Sequence, residues 1–386
     1  MNSAELDQQI IKFIQAEQPP DESAFNVLAL RIFEYQFQNN PIFQRLCENR
    51  GRTPSDIDDW RQIPSVPADA FRATDFCAFP VEGAIRTFRS SGTTQQHRSR
   101  HHLDTLTLYE ASLLPNFKEH MLPDRLAAER RDHGPPEGLV AERQDYGLKM
   151  PFLCLLPSAT SQPDSSLIHM IQVAMDRFGA EDSDYYFNAE SSFECERLVQ
   201  TLDDASRTQR PVMLLGAAFS FVHLLDECGR SGRSFELPIG SRLMETGGYK
   251  GKTREIPRAE LHQMLAALFN IPDTHIVNEY GMSEISVQFY DVKLRDTLEG
   301  REPRDFKAVP HWSRVSILDP ETMQETEGVG LIQICDLSNR GSAVHVLTAD
   351  WGIKREEGFE VFGRAPGAVS KGCSLTLDEL LTTDTP

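Results

Sequence analysis

The sequence contains no apolar run of the roughly 18 consecutive residues that a membrane-spanning helix needs. Residues 1–7 (MNSAELD) are acidic and lack the basic-then-apolar order of a secretory signal. The seven cysteines are scattered without a Cys-x-x-Cys pair, which argues against a disulfide framework or a zinc site. We therefore expect a reduced, cytoplasmic protein without a membrane span.

Positive charge is also scarce. The chain has 39 Lys and Arg against 58 Asp and Glu, so its formal net charge is −19. Such a charge repels phosphate backbones, and we expect no nucleic-acid partner. The rest of the composition, 40% hydrophobic and 25% charged over 386 residues, is typical of a globular protein with a large core.

Helical and strand patterns alternate through most of the chain. Residues 4–49 show helical spacing of apolar positions, broken at 18–21 (QPPD), with Asp21 or Ser23 as the expected N-cap. The polar stretch 125–149 predicts an exposed loop. Further helical patterns cover 166–178, 193–205 and 217–228, and apolar runs typical of buried strands cover 152–156, 212–216, 276–277 and 331–335.

This alternation predicts an α/β fold with a largely parallel sheet. After residue 308 the pattern changes to short strands and turns. We therefore predict two domains: an α/β core with N-terminal helices over 1–307, and a β-rich subdomain with a C-terminal tail over 308–386.

The first segment with chemical potential is 88–94 (FRSSGTT). Hydroxyl side chains around a glycine, with free backbone amides, suit phosphate oxygens, although a plain polar turn has the same composition. No lysine follows at the spacing of a Walker A loop. The stretch 247–253 (GGYKGKT) resembles that loop, but its first glycine is one residue too close.

Two further segments carry polar groups next to strand patterns. In 278–284 (NEYGMSE) an aromatic ring, a hydroxyl and a carboxylate are suited to a base, a phosphate and Mg²⁺ respectively. In 348–352 (TADWG) a carboxylate is suited to ribose hydroxyls, and Arg364 follows. Each segment alone is equally compatible with a structural role, and histidines such as His101 and His102 are interpreted as structural.

Together and in this order, the three segments resemble the phosphate loop (SSGTTG), the nucleotide turn (YGxTE) and the ribose segment (TGDxG, then GR) of the adenylate-forming superfamily. Within it the chain resembles the LuxE-like acyl-protein synthetases, from about residue 60 to the end. Ser283 replaces the usual threonine, Ala349 the glycine of TGD, and Gln95 the last glycine of the phosphate loop.

The resemblance implies roles for the matching residues. Tyr280 would stack on adenine, Ser283 would contact the α-phosphate, and Glu284 would ligate Mg²⁺. Asp350 would hold the ribose, and Arg364 would approach the nucleotide. The other implied members of the nucleotide site are the phosphate loop Ser90, Ser91, Gly92, Thr93 and Thr94, the adenine-binding segment Gly247, Gly248 and Tyr249, and Gly281 of the turn.

The resemblance also concerns the C-terminal segment. Larger superfamily members continue past the GR segment into a lid domain that carries the lysine of the adenylation step, so we expect a fold without a full lid. Lys371, Lys250 and Lys252 are candidates for that lysine. Cys373 lies in a polar segment beside Lys371, a setting that favours an accessible thiolate. The resemblance implies that Cys373 accepts the acyl group; a small structural residue is the alternative.

The function implied is ATP- and Mg²⁺-dependent activation of a carboxylic acid, fatty or aromatic, to acyl-AMP. The acyl group then passes to a thiol, and in the resembling family an acyl-CoA-reductase-type partner takes it up. Two alternatives stay open. One is an acyl- or aryl-CoA ligase similar to phenylacetate-CoA ligases, and the other is a catalytically silent accessory protein that binds nucleotide or acyl groups.

Overall fold

The computed structural model describes residues 2–90, 98–124, 149–188, 192–249 and 253–364. Almost all of the loop predicted at 125–149 therefore lies outside the described residues. No helix in the described ranges combines the length and apolar character needed to cross a bilayer.

The helical patterns at 4–49, 166–178, 193–205 and 217–228 all form helices, and the pattern at 166–178 coincides with a helix of the same bounds. Asp21 is the N-cap of the second helix, where its carboxylate accepts a hydrogen bond from the Ala24 amide at 2.8 Å. The helices are α1 (Ser3–Ile14), α2 (Glu22–Asn39), α3 (Pro41–Asn49), α4 (Ala70–Ala73), α5 (Thr107–Met121), α6 (Ser166–Phe178), α7 (Cys195–Thr208), α8 (Ala218–Ser231), α9 (Arg258–Phe269) and α10 (Lys293–Leu298).

The strands include all four apolar runs that the sequence indicated. They are β1 (Val66–Pro67), β2 (Arg86–Arg89), β3 (Arg100–Leu103), β4 (Phe152–Leu155), β5 (Asp184–Tyr185), β6 (Met213–Ala217), β7 (Arg242–Thr246), β8 (Ile276–Tyr280), β9 (Phe289–Tyr290), β10 (Lys307–Ala308), β11 (Ser313–Leu318), β12 (Gly330–Asp336), β13 (His345–Arg355) and β14 (Gly358–Arg364).

The chain folds as two compact units that combine segments distant in sequence. Unit 1 comprises the described residues within 1–115, 281–289 and 306–386, and unit 2 those within 116–280 and 290–305. The sequence-based division into 1–307 and 308–386 follows position along the chain, and so assigns residues 1–115 to the α/β core. In the structure those residues belong with the C-terminal strands.

Unit 2 is the α/β part. Its strands run parallel in the order β5-β4-β6-β7-β8, with β9 at the end of that order. Strands covered on both faces are expected to be apolar throughout, as Phe152–Leu155 is. The buried core is formed by side chains from the strands and from α7, α8 and α9, including Leu153, Leu155, Leu198, Leu214, Phe221, Leu243, Leu265 and Ile276.

Unit 1 contains the β-rich part. Its main sheet has the order β10-β14-β13-β12-β11 with antiparallel neighbours, and β1 adds to β13 in parallel, Val66 opposite Val346. Strands β2 and β3 form a separate antiparallel hairpin. This β-rich sheet confirms the change of pattern noted after residue 308.

Buried polar contacts tie the N-terminal helices to the segment after β12. The Arg340 side chain is 1% exposed and makes paired hydrogen bonds to the carboxylates of Asp7 and Asp104, at 2.8–3.1 Å. The Gln36 amide donates to the carbonyls of Asn339 and Arg340 at 2.9 and 3.0 Å. Helices α1 and α2 are thereby part of unit 1.

Replacement of Arg340 by leucine removes the guanidinium from between two carboxylates and leaves both without their partner. We expect the free energy of unfolding, measured by urea denaturation, to fall by about 3 kcal/mol. The matched control is Arg207→Leu, whose ion pair with Asp204 is exposed on both sides and should cost less than about 1 kcal/mol. Equal losses in the two variants would contradict a structural role for the buried pair.

Candidate functional site

The predicted phosphate loop connects β2 and β3. Ser90 follows β2 directly, and Ser91, Gly92, Thr93 and Thr94 lie outside the described residues. Two hydrogen bonds close the base of the loop: the Ser90 amide donates to the Ser99 carbonyl at 3.2 Å, and the Ser99 amide donates to Ser90 Oγ at 3.0 Å. The Arg98 guanidinium donates to the Ser90 carbonyl. The two ends of the loop are therefore held together by described residues.

The predicted nucleotide turn continues from β8 into unit 1 at Gly281. Its first anchor is His101 of β3, which is fully buried and whose Nδ1 lies 2.8 Å from the Ser283 carbonyl oxygen. A carbonyl only accepts, so Nδ1 carries the proton. Burial lowers the pKa of His101 to about 4. The structural interpretation of His101 is confirmed, and its contact links the loop-bearing hairpin to the nucleotide turn.

Two residues from the segment after β12 hold the rest of the turn. The Asp336 carboxylate accepts hydrogen bonds from the amides of Ser286 and Val287, both at 2.9 Å, and Asp336 is fully buried. The Asn339 amide donates to the Glu284 carbonyl at 2.9 Å. Burial raises the pKa of Asp336, and the hydrogen bonds oppose that shift. With His101, these contacts fix the backbone on both sides of the Glu284 side chain.

Glu284 is 7% exposed. Burial raises the pKa of its carboxyl group, and the positive charges of Arg364 and Arg72 oppose that shift. The Glu284 carboxyl group is therefore buried on a turn whose backbone is held on both sides.

The predicted ribose segment lies on β13, where Asp350 is directly opposite Arg364 of β14 in the antiparallel ladder. The Thr348 hydroxyl accepts from the Asp350 amide at 3.1 Å and donates to the Ile332 carbonyl at 2.8 Å. This double contact fixes the backbone at Asp350 without the glycine that the superfamily motif carries. Asp350 and Arg364 thus lie side by side on the sheet of unit 1.

The predicted adenine-binding residues lie in unit 2 at the carboxyl ends of two paired parallel strands. Thr246 of β7 is opposite Glu279 of β8, so Gly247 and Tyr280 follow at the same edge of the sheet, the edge at which α/β sheets bind ligands. The backbone of Gly248 has φ +101°, a conformation that favours glycine. The Tyr249 hydroxyl donates to the Ile256 carbonyl, and its ring packs on the core.

The structure thus groups the described candidates by unit. Unit 2 contains Gly247, Gly248, Tyr249 and Tyr280, and unit 1 contains Ser90, Gly281, Ser283, Glu284, Asp350 and Arg364. Cys373 and the three candidate lysines Lys371, Lys250 and Lys252 lie outside the described residues.

Sequence reasoning missed two residues that support the turn, Asp336 and Asn339. The signal that was available is the polar run 336–342 (DLSNRGS) directly after an apolar strand. Among the described residues, no three His, Cys, Asp or Glu side chains are grouped so as to hold a metal ion.

A family model described as "Acyl-protein synthetase, LuxE" matches residues 143–382. The chain belongs to this family. Membership confirms the predicted enzyme class, an adenylate-forming ligase, and the resemblance from which it was inferred. No curated protein matches the chain.

Solved structures give the fold. An open conformation of 2-hydroxyisobutyryl-CoA ligase in complex with 2-HIB-AMP and CoA has a TM-score of 0.60 at 12% identity, over 92% of this chain and 75% of that chain. ATP-bound MatB from Rhodopseudomonas palustris follows with TM-score 0.46, 14% identity, and coverage of 81% and 54%. A long-chain-fatty-acid-CoA ligase from Archaeoglobus fulgidus has TM-score 0.45, 14% identity, and coverage of 76% and 52%.

The chain therefore spans about three quarters of the first of these proteins and about half of the other two. At 12% identity, the similarity to the 2-hydroxyisobutyryl-CoA ligase shows the fold alone. It confirms the predicted fold class, a mixed α/β fold like that of adenylate-forming enzymes.

The buried imidazole of His101 predicts acid sensitivity. An unfolded histidine binds a proton near pH 6.5, whereas His101 in the fold does so only near pH 4. Between these values the unfolded state binds more protons, so acidification favours unfolding by up to about 1.4 kcal/mol per pH unit. We expect His101→Gln to flatten the dependence of unfolding free energy on pH between 6.5 and 4, measured by urea denaturation. Slopes that are the same in both proteins would contradict the buried neutral state of His101.

Proposed function

We propose that this member of the LuxE acyl-protein synthetase family uses ATP to activate a carboxylic acid and then transfers the acyl group to its own Cys373. The observation that carries the adenylation step is the Glu284 carboxylate, which is buried on a turn held by His101, Asp336 and Asn339. The 2-hydroxyisobutyryl-CoA ligase that shares the fold holds an acyl-adenylate, which supports the same chemistry here.

The described residues fit a magnesium nucleotide. Mg²⁺ is usually held by one or two carboxylates together with substrate phosphates, rather than by a cage of protein ligands. A single buried carboxylate, Glu284, matches that donor set. When bound there, Mg²⁺ supplies positive charge that offsets the charge of the phosphates.

In the proposed first step a carboxylate oxygen of the acid attacks the α-phosphorus of ATP. The bond from that phosphorus to the bridging oxygen breaks, and pyrophosphate leaves. Arg364 supplies positive charge to the nucleotide, and Asp350, opposite Arg364 in the ladder, accepts hydrogen bonds from the ribose. Tyr280 contacts the base, and the loop that Ser90 begins holds the phosphates.

In the second step the Cys373 thiolate attacks the carbonyl carbon of acyl-AMP. The bond from that carbon to the phosphate oxygen breaks, AMP leaves, and the acyl group remains as a thioester. The thiol proton goes to solvent. We propose that a fatty acid is the substrate, that a reductase-type partner takes the acyl group from Cys373, and that the protein acts in the cytoplasm.

Replacement of Glu284 by glutamine removes the charge that the proposed magnesium nucleotide requires. We expect ATP–pyrophosphate exchange in the presence of the acid to fall by roughly a hundredfold or more. Glu110→Gln is the matched control, because Glu110 of unit 1 is a partly buried carboxyl group whose pKa, like that of Glu284, is raised by burial. Full exchange by Glu284→Gln would contradict the assignment.

Intact-protein mass spectrometry tests the acyl transfer. After incubation with ATP, Mg²⁺ and a panel of fatty and aromatic acids, we expect a hydroxylamine-sensitive acyl adduct that Cys373→Ser lacks. Cys195→Ser serves as the control, since Cys195 is partly exposed but burial raises its pKa. An adduct that persists in Cys373→Ser would overturn the choice of nucleophile.

The same incubations, with and without added coenzyme A, distinguish the acyl-protein synthetase from the two alternative functions. AMP release only when coenzyme A is added, with no adduct, would identify an acyl- or aryl-CoA ligase. The coenzyme A in the ligase structure of similar fold is the observation that favours this second candidate. Neither adduct nor AMP with any acid would favour an accessory protein without catalytic activity.

A further inference from the structure

Unit 2 contains a chain of buried polar side chains that the proposed chemistry does not use. The Glu245 carboxylate lies 3.0 Å from His262 Nε2 and accepts from the Asn278 amide at 2.7 Å. The other ring nitrogen, His262 Nδ1, lies 3.2 Å from Lys293 Nζ, which also donates to the Asp273 carboxylate at 3.1 Å. Glu245, His262, Asn278 and Lys293 are all buried, and Asp273 reaches the surface.

The partners assign the protons of this chain. A carboxylate only accepts, so His262 Nε2 carries a proton and donates to Glu245. An ammonium group only donates, so His262 Nδ1 is unprotonated and accepts from Lys293. The imidazole therefore joins the side chains of Glu245 and Lys293 through two oriented hydrogen bonds.

These contacts meet on β7 and β8 close to the edge of the sheet. Glu245 and Asn278 are directly opposite each other in the parallel ladder. The Asn278 backbone is held as well: its amide donates to the Asp291 carboxylate at 2.9 Å, and its carbonyl accepts from the Asp291 amide at 3.1 Å. Side chains two residues apart on a strand share a face, so Tyr280 is the next residue on the face of Asn278.

The cost of this arrangement argues for a specific role. Burying polar and charged groups is unfavourable, and apolar side chains of similar volume would often be as stable or more so. What a fully paired polar chain provides is a fixed register and orientation for the elements it joins. Here it joins β7, α9, β8 and α10 just below Gly247 and Tyr280.

We propose that Glu245, His262 and Lys293 are positioning residues for ATP: they hold the ends of β7 and β8 so that Tyr280 and the 247–249 segment are preorganised for the adenine ring. This role rests on the proposed function, because it takes the adenine to lie at this edge. None of the three residues contacts the reacting atoms in this assignment.

The experiment compares His262→Leu with His262→Gln. Leucine fills the space but breaks both hydrogen bonds, whereas a glutamine amide can donate to Glu245 and its carbonyl can accept from Lys293. In ATP–pyrophosphate exchange we expect His262→Leu to raise the KM for ATP by about tenfold, the loss of roughly one good hydrogen bond. Exchange kcat and the KM for the acid should change by less than about twofold, and His262→Gln should restore most of the ATP affinity.

The matched control is Asp124→Asn, at the opposite end of β7. Asp124 pairs with the buried Arg242 guanidinium at 2.9 and 3.0 Å, so its loss weakens the same sheet away from the proposed adenine edge. We expect Asp124→Asn to lower the thermal midpoint as His262→Leu does, while the KM for ATP stays at the wild-type value.

Three results would overturn the positioning role. They are an unchanged KM for ATP in His262→Leu, the same increase in Asp124→Asn, and a failure of His262→Gln to recover affinity although it folds. Calorimetric titration of ATP into the wild type distinguishes failure of the positioning role from failure of the proposed function. If the wild type does not bind ATP, both are overturned, whereas binding with equal affinity by wild type and His262→Leu overturns the positioning role alone.

Discussion

Buried polar groups are costly unless they find a partner inside the protein, and in unit 1 this requirement shapes the segment after β12. The Asp336 carboxylate offsets its loss of water by accepting hydrogen bonds from two successive amides of the nucleotide turn. Asn339 holds the carbonyl at Glu284, and Arg340 is held in turn by two carboxylates. These hydrogen bonds hold the backbone of the turn on both sides of Glu284 and so restrict the position of its side chain.

Unit 2 meets the same requirement in a different way. There the polar groups lie beneath a sheet edge and connect strands to helices through side chains, with His262 as the central member. In both units, then, a buried polar network lies next to a turn that carries residues expected to contact substrate. Enzymes commonly preorganise functional side chains in this way, by hydrogen bonds from a supporting layer of buried polar residues.

Local sequence signals were sufficient for many of the elements and for the order of the candidate motifs. In unit 2, apolar runs and helical spacing gave β4, β6, β8, α6, α7 and α8, because buried parallel strands and amphipathic helices have distinct periods. They did not give β7 or α9. Local patterns could not show which segments of the chain combine in unit 1, because the parallel pairing of Val66 with Val346 joins residues about 280 positions apart. Nor could Asp336 and Asn339 be recognised, because a polar run after a strand has the same composition whether it is buried or forms an exposed loop.

The discontinuous make-up of unit 1 has a consequence for biosynthesis. All of unit 2 lies within residues 116–305, so it is synthesised before the strands of the unit 1 sheet from β11 onward. Residues 2–115 are synthesised earlier than their native partners. Asp7, Gln36 and Val66 make their native contacts only after the segment after β12 and strand β13 have been synthesised. The first-made helices are thus the last to be completed, and during that interval their apolar faces depend on transient protection from aggregation.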